Sequence, residues 1–321
     1  MFRSSTFSAG HRFRMAAHST NIQKNCGKFA KFGFQSGNKM DKNRKIDVMG
    51  IINITDNSYY SESRCLGQDG NDDIPHILSR AEMMIRDGAT ILDIGACSTR
   101  PGSDPVGADE EWRRLEPALK AIRAEFPDIT ISIDTYWPSI VRKAFGTIGK
   151  FIVNDVTAGE GMYDKVNADE CGEMLLTAGE LGLPFAAMHM RGNPKTMQTL
   201  TGYDDVTEDV VEYFRNFSRR AEKAGIKDWI LDPGFGFAKT IEQNYQMMRE
   251  LDKFQEFGKR ILVGISRKSM IFRKFGITPE ESLPQSQVLH YKALCLGADI
   301  LRVHDVAEAV RTVSTYRELE K

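Results

Sequence analysis

The sequence predicts an α/β chain folded as a (β/α)8 barrel, a single domain over residues 46–321, and three observations carry that prediction. Short apolar runs alternate with amphipathic helical stretches from Ile46 to Leu319, and buried strands separated by helices pair in parallel. Eight such units occupy roughly 275 residues, the usual length of this barrel. The first strand-to-helix turn, Asn53-Ile54-Thr55-Asp56-Asn57-Ser58, carries no glycine fingerprint of a doubly wound dinucleotide-binding sheet.

In chain order, the apolar runs expected as strands are 48–52, 90–94, 129–133, 151–153, 185–188, 229–231, 261–263 and 300–303. Each stops in a polar or glycine-rich tip, the usual boundary of a buried strand. The sixth shows this best, because Pro233 directly follows Asp232 and a proline cannot donate to a sheet ladder. The expected helices are 72–87, 108–126, 138–145, 170–181, 206–224, 241–254, 283–296 and 306–319. In the second, Trp112, Leu115, Leu119, Ile122 and Phe126 recur at helical spacing and define one buried face.

Composition excludes several function classes. With 41% hydrophobic and 27% charged residues and a net charge of -1, the chain reads as an ordinary globular protein with no general attraction for nucleic acid. No apolar run approaches the roughly 20 residues of a membrane span. Cys26, Cys65, Cys97, Cys171 and Cys295 are odd in number and unpaired in spacing, which argues against disulfides and zinc and for a reducing, cytoplasmic setting. Residues 1–45 form a separate block in which ten Lys and Arg face the single acid Asp41. Three readings fit this block: a disordered basic arm, sequence upstream of a start at Met40, or an organellar transit peptide. It is expected to be disordered and to take no part in the chemistry.

The active site of such a barrel lies at the C-terminal ends of the strands. Those ends carry Asn53; Asp93 through Gly102; Asp134; Asn154-Asp155; Met188-His189-Met190; Asp232; Gly264 through Ser269; and Arg302 through Asp305. Asp134, Asn154 and Asp232 can pair with the edge of a neutral heterocycle. Arg302, His304, Thr99 and Arg100 suit an anion, and Asn53 is a hard oxygen donor for Mg²⁺. Lys268 could bridge a ring and a leaving group. In the segment Asp232-Pro233-Gly234-Phe235-Gly236-Phe237, the acid lies beside two aromatic rings that could wall a flat ligand. A tight turn capped by Asp232 over two core phenylalanines competes with that reading. Elsewhere the bland alternatives are helix capping for Asp134, a buried ion pair for Arg302, a surface or capping histidine at 304, and packing for Met188 and Met190. The joint pattern points to a flat polar ring carrying phosphate.

The motifs Met49-Gly50-Ile51-Ile52-Asn53-Ile54-Thr55, Ser98-Thr99-Arg100-Pro101-Gly102, Ser132-Ile133-Asp134-Thr135, Asn154-Asp155-Val156, Leu231-Asp232-Pro233-Gly234-Phe235-Gly236-Phe237, Ser266-Arg267-Lys268-Ser269 and Arg302-Val303-His304-Asp305 together resemble the dihydropteroate synthase family. The resemblance covers essentially the whole body, from Ile46 to Leu319. It implies a barrel, usually a dimer and a sulfonamide target, that condenses 6-hydroxymethyl-dihydropterin pyrophosphate with 4-aminobenzoate in folate biosynthesis. By that resemblance Asp134, Asn154, Met188, Asp232, Gly264, Lys268 and Arg302 would surround the pterin, with Lys268, Arg302 and Asp134 the groups most involved in catalysis. Asn53, Thr99, Arg302 and His304 would hold pyrophosphate, Asn53 together with Mg²⁺. Arg100, Pro101, Phe237, Ser266 and Lys268 would surround aminobenzoate.

The sequence departs from the family pattern in two loops. After Asn53-Ile54-Thr55 the usual proline and glycine pair are missing from the segment Asp56 to Ser63, and Cys97 stands where a glutamate usually precedes Ser-Thr-Arg-Pro-Gly. Two other functions stay open at this point: a pterin-binding paralogue without catalysis, and a methyltetrahydrofolate-dependent methyltransferase.

Overall fold

The computed structural model describes residues 44–54, 73–97, 106–162 and 170–321. Thr99, Arg100, Pro101 and the segment from Asp56 to Ser63 lie outside the described residues, as do residues 1–43. Eight parallel strands, β1 (Asp47–Asn53), β2 (Ile91–Gly95), β3 (Thr130–Asp134), β4 (Ile152–Asp155), β5 (Phe185–Met188), β6 (Trp229–Asp232), β7 (Arg260–Val263) and β8 (Ile300–Val303), close into a barrel in sequence order, with β8 pairing back onto β1. Around it run α1 (Ile74–Arg86), α2 (Ala108–Glu125), α3 (Pro138–Ile148), α4 (Glu173–Glu180), α5 (Val206–Lys223), α6 (Ile241–Arg249), α7 (Ser269–Phe275), α8 (Leu283–Cys295) and α9 (Val306–Leu319).

Three features differ from the sequence expectation. Several strands continue one or two residues past the apolar run, so Asn53, Gly95, Asp134, Asp155 and Asp232 are themselves strand residues. The ladder needs only backbone groups, and Asp134 pairs with Asn154 while Asp232 pairs with Met188. A second difference is α7, a short helix not anticipated before α8. It is ended by Gly276 in the left-handed conformation at φ 64°, where a glycine is unstrained. The stretch expected as one helix over 241–254 also divides, into α6 and a 3-10 segment over Leu251–Phe257.

The N-terminal end of the barrel is sealed by ions. Arg260 donates to Asp47 at 2.7 Å, and Arg44, from the compositionally basic block, pairs with Asp299 at 3.6 Å and donates to the Leu294 carbonyl at 2.9 Å. Above this lies an apolar floor of Met49, Ile91, Ile152, Ala186, Ile230, Leu262 and Ile300, one residue from each strand except β3. Side chains alternate faces along a strand, so residue i+2 points the same way. Two residues above the floor stand Ile51, Asp93, Asn154, Met188, Asp232, Gly264 and Arg302. On β3, Ser132 pairs with Asp93 and Asp134 with Gly95 and Asn154. The next inward layer is therefore mostly polar, and it faces the C-terminal mouth.

Candidate active site

Asp93 is the hub of this layer. Its side chain is fully buried, and it accepts from Arg302 Nε at 2.6 Å, Ser132 Oγ at 2.6 Å and Asn154 Nδ2 at 3.2 Å to each oxygen. Arg302 reaches across the barrel and donates through Nη2 to Asp134 at 2.9 Å. Burial works against the Arg302 charge, but the carboxylates of Asp93 and Asp134 outweigh it and hold the guanidinium firmly protonated. Burial pushes the Asp134 carboxyl up, with Arg302 pulling the other way. Gly95 leaves room for Asp134, since a Cβ there would lie 3.2 Å from the Asp134 Cβ.

The opposite wall is the turn after β6. Asp232 Oδ1 accepts the Gly234 N–H at 2.8 Å, so the acid shapes the turn while its other oxygen stays in the layer. Of the two readings of this segment, the tight turn shaped by Asp232 is the one seen here. Phe235 is fully buried and belongs to the core, which leaves only the half-buried Phe237 to line the mouth. The glycines make room for protein rather than ligand. A Cβ on Gly234 would sit 2.0 Å from the His189 carbonyl oxygen, and one on Gly236 would sit 3.2 Å from Lys268 Cδ. The buried Lys239 holds the turn closed, with Nζ 2.9 Å from His189 Nδ1 and donating to the carbonyls of Gly234 and Phe237 at 3.0 Å each.

Lys268 crosses from the β7 tip to this turn. Its Nζ donates to the Phe235 carbonyl at 2.5 Å and lies 4.7 Å from the centre of the Phe237 ring. Burial lowers its pKa to about 8, and the nearby Asp232 limits the fall. The same burial raises Asp232, with Lys268 opposing. Gly264 faces Arg302 and Lys268, with its would-be Cβ 3.8 Å from Arg302 Cβ and 4.0 Å from Lys268 Nζ. His304 donates its backbone N–H to Ser266 Oγ at 3.4 Å, and burial beside Arg302 lowers its imidazole to about 3. The ring is therefore neutral near pH 7.

These groups form one cup with carboxylates and an amide at the base, a guanidinium across it and a lysine on one wall. A family model for pterin-binding enzymes matches residues 49–304. The chain belongs to the pterin-binding enzyme family. It is 39% identical to the dihydropteroate synthase of Escherichia coli strain K12 over 284 residues, 87% of this chain and 93% of that protein. Among solved structures it is similar to the Yersinia pestis dihydropteroate synthase in complex with a sulfonamide drug, with TM-score 0.76, 33% identity and coverage of 87% and 95%. It is also similar to the Thermus thermophilus dihydropteroate synthase in complex with 4-aminobenzoate, with TM-score 0.72, 33% identity and coverage of 87% and 96%.

The pterin-binding barrel brings Asp134, Asn154, Met188, Asp232, Gly264, Lys268 and Arg302 to one mouth, with Ser266, Phe237, Asn53 and His304 at its rim. Asp134 is no helix cap, because α3 starts after Trp137. Arg302 is indeed in an ion pair, but one that points its guanidinium across the cup. Met188 packs with Tyr136, Met190 and Met197 and supplies an apolar side to the layer. Asp155 turns away, accepting from Thr157 N, Thr157 Oγ1 and Gly159 N at 2.8 Å each, and shapes the turn after β4. The sequence reading assigned no role to Asp93. Its signal was available: a charged residue two places beyond the buried Ile91, in an otherwise apolar strand.

Proposed function

We propose that this pterin-binding barrel is a dihydropteroate synthase, joining 6-hydroxymethyl-dihydropterin pyrophosphate to 4-aminobenzoate with release of pyrophosphate. The observation that carries the reading is the layer formed by Asp93, Asp134, Asn154, Asp232 and Arg302 beside Lys268. A carboxylate fits an amino group and ring N–H side by side, and Asn154 can donate and accept. Asp134, Asn154 and Asp232 would read the pterin edge, Met188 and Gly264 would border the ring, and Arg302 would lie against it. Arg302 and Lys268 would offset the charge that the leaving group carries, while neutral His304 offers a hydrogen bond to a phosphate oxygen.

In the reaction the methylene C–O bond breaks and its electrons leave with pyrophosphate. The aminobenzoate nitrogen forms the new C–N bond and sheds a proton to solvent. That nitrogen is weakly basic and needs no strong general base, so positioning and fixed charge supply most of the acceleration. Ser266, Phe237 and Lys268 would flank aminobenzoate, together with Arg100 and Pro101. Thr99 would join His304 at the pyrophosphate.

Mg²⁺ belongs to this reading. Among the described residues no cluster of three His, Cys, Asp or Glu could hold a metal. The half-buried Asn53 at the end of β1 offers one hard oxygen, a donor that suits Mg²⁺ shared with water and substrate phosphates. When bound, the ion would neutralise pyrophosphate charge. A homodimer is also proposed. A groove of about 440 Å³ between α8 and α9, lined by Val288, Tyr291, Arg311 and Thr315, carries an apolar surface, and Val288 is 69% exposed. Cytoplasmic residence belongs to the same reading and is supported by Cys97, Cys171 and Cys295 standing as thiols outside any disulfide among the described residues.

The test is product analysis with both substrates, with and without Mg²⁺. Dihydropteroate and pyrophosphate in equal amounts are expected, inhibited by a sulfonamide in competition with aminobenzoate. Methyl transfer from methyltetrahydrofolate, or pterin binding without product, would overturn the reading.

A further inference from the structure

We propose that Arg267 and Asp305 are positioning residues: a clamp that sets the placement of Lys268 relative to His304 across the mouth. This rests on the synthase reading above. Arg267 lies between Ser266 and Lys268, and Asp305 follows His304, so each clamp residue adjoins a group of the cup.

The backbone of Arg267 is in the left-handed region at φ 55°, a conformation that strains any residue but glycine. Asp305 occupies the N-cap position of α9, yet its side chain makes no capping hydrogen bond, although aspartate is a favoured cap. Two local preferences are broken at the tips of adjacent strands, and the two side chains meet. Arg267 Nε donates to Asp305 Oδ2 and Nη2 to Oδ1, both at 2.8 Å. The remaining Nη1 donates to the carbonyls of Pro279 at 3.2 Å and Glu280 at 3.0 Å, and the Arg267 N–H reaches Ser286 Oγ at 3.3 Å. Only 9% and 12% of the two side chains are exposed.

A two-pronged arginine–carboxylate pair fixes both distance and orientation. Here it joins the β7 tip to the β8 tip, next to the His304 N–H to Ser266 Oγ bond. Lys268 begins α7 as its N-cap residue, so a shift of the Arg267 backbone would carry Nζ off the Phe235 carbonyl and away from Asp232. Strain held by surrounding contacts is typical of functional turns. An arginine rather than a glycine at this φ is explained by the side chain it contributes.

The experiment compares the full-length chain with Arg267→Gly, Asp305→Asn and the double variant. Glycine adopts the left-handed backbone freely, so a fold that needs only the backbone is retained. The expected result is a kcat lower by about tenfold to a hundredfold, smaller changes in KM for either substrate, and a lowered thermal midpoint in a chain that still folds, because one side of a buried pair is lost. The double variant should be no worse than Arg267→Gly, since one interaction is removed in both. If Arg267→Gly fails to fold, Arg267→Lys replaces it, keeping the charge without the two-pronged grip and with the same expectation for kcat. Turnover of a folded variant within about twofold of the parent, or fully additive losses in the double variant, would overturn the clamp. Failure of the synthase reading looks different: the parent chain itself would form no product.

Discussion

Replacing Asp93 gives the sharpest test of how the layer is built. Asp93→Ala removes the acceptor for Arg302 Nε, Ser132 Oγ and Asn154 Nδ2 in one step. Breaking one side of a buried ion pair costs about 3–5 kcal/mol. Arg302 keeps Asp134 at 2.9 Å, which places the expected loss near the lower end, ~3 kcal/mol. With a urea slope of about 3 kcal/mol/M for a chain of this size, the unfolding midpoint should fall by about 1 M. Pterin affinity should fall too, because Arg302 and Asn154 lose the anchor that aims them. Two misdirected hydrogen bonds at about 1 kcal/mol each amount to roughly thirtyfold in Kd. Asp93→Asn keeps one acceptor oxygen and should fall between parent and alanine. Urea unfolding and calorimetric titration with the dihydropterin measure both quantities. An alanine variant with parental midpoint and parental pterin affinity would refute the role given to Asp93.

Other outcomes follow from the same geometry. The pKa of Lys268 is depressed to about 8 from an ordinary 10.5, so between these values the unfolded chain binds the extra proton. Its destabilising effect is then full below about pH 8 and fades as pH rises toward 10.5, while pterin affinity falls above pH 8 as the ammonium is lost; Lys268→Arg should abolish that affinity inflection in a titration series. His304 lies near 3 against an ordinary 6.5, so the unfolded state gains the proton first and stability drops as pH falls from 6.5 toward 3. His304→Gln should flatten part of that slope in pH-dependent unfolding. Gly234→Ala puts a Cβ 2.0 Å from the His189 carbonyl oxygen at φ 72°, and a left-handed non-glycine alone costs about 1–3 kcal/mol, so thermal denaturation should show severe loss. Gly264→Ala meets nothing closer than 3.8 Å and should fold normally, but its methyl enters the ring site and should weaken pterin binding in the same calorimetric assay.

Most of the fold was legible because barrel strands are buried on both faces and stand out as short apolar runs between helices. The strand ends were misplaced where Asn53, Asp134 and Asp232 continue the ladder as polar residues, since hydropathy marks burial and not backbone pairing. Helix α7 was hidden because its seven residues are too few for a helical period to emerge. The site residues were legible as strand tips, and their grouping follows from ladder register. Asp93 opens the second tip and shares a layer with Asn154, Asp232 and Arg302, but its role as their common acceptor needs contacts across four strands that no local pattern reports. Wall and core stay open for Phe235 in the sequence because nothing local says which of two nearby aromatics turns inward; the structure places it in the core. The Arg267–Asp305 pair needs two chain segments to meet across strands, and no local pattern reports that.

The most direct measurement is the affinity of the chain for the dihydropterin, before and after Asp232→Asn. Asp232 is buried in the ring layer, with one oxygen held by Gly234 at 2.8 Å and Lys268 close by. The asparagine keeps the shape and one acceptor but cannot provide a carboxylate to paired N–H donors. Charge-assisted hydrogen bonds are worth about 1.5–3 kcal/mol, so Kd should rise by roughly tenfold to a hundredfold in an otherwise folded variant. Unchanged affinity would contradict the placement of the pterin ring in this cup.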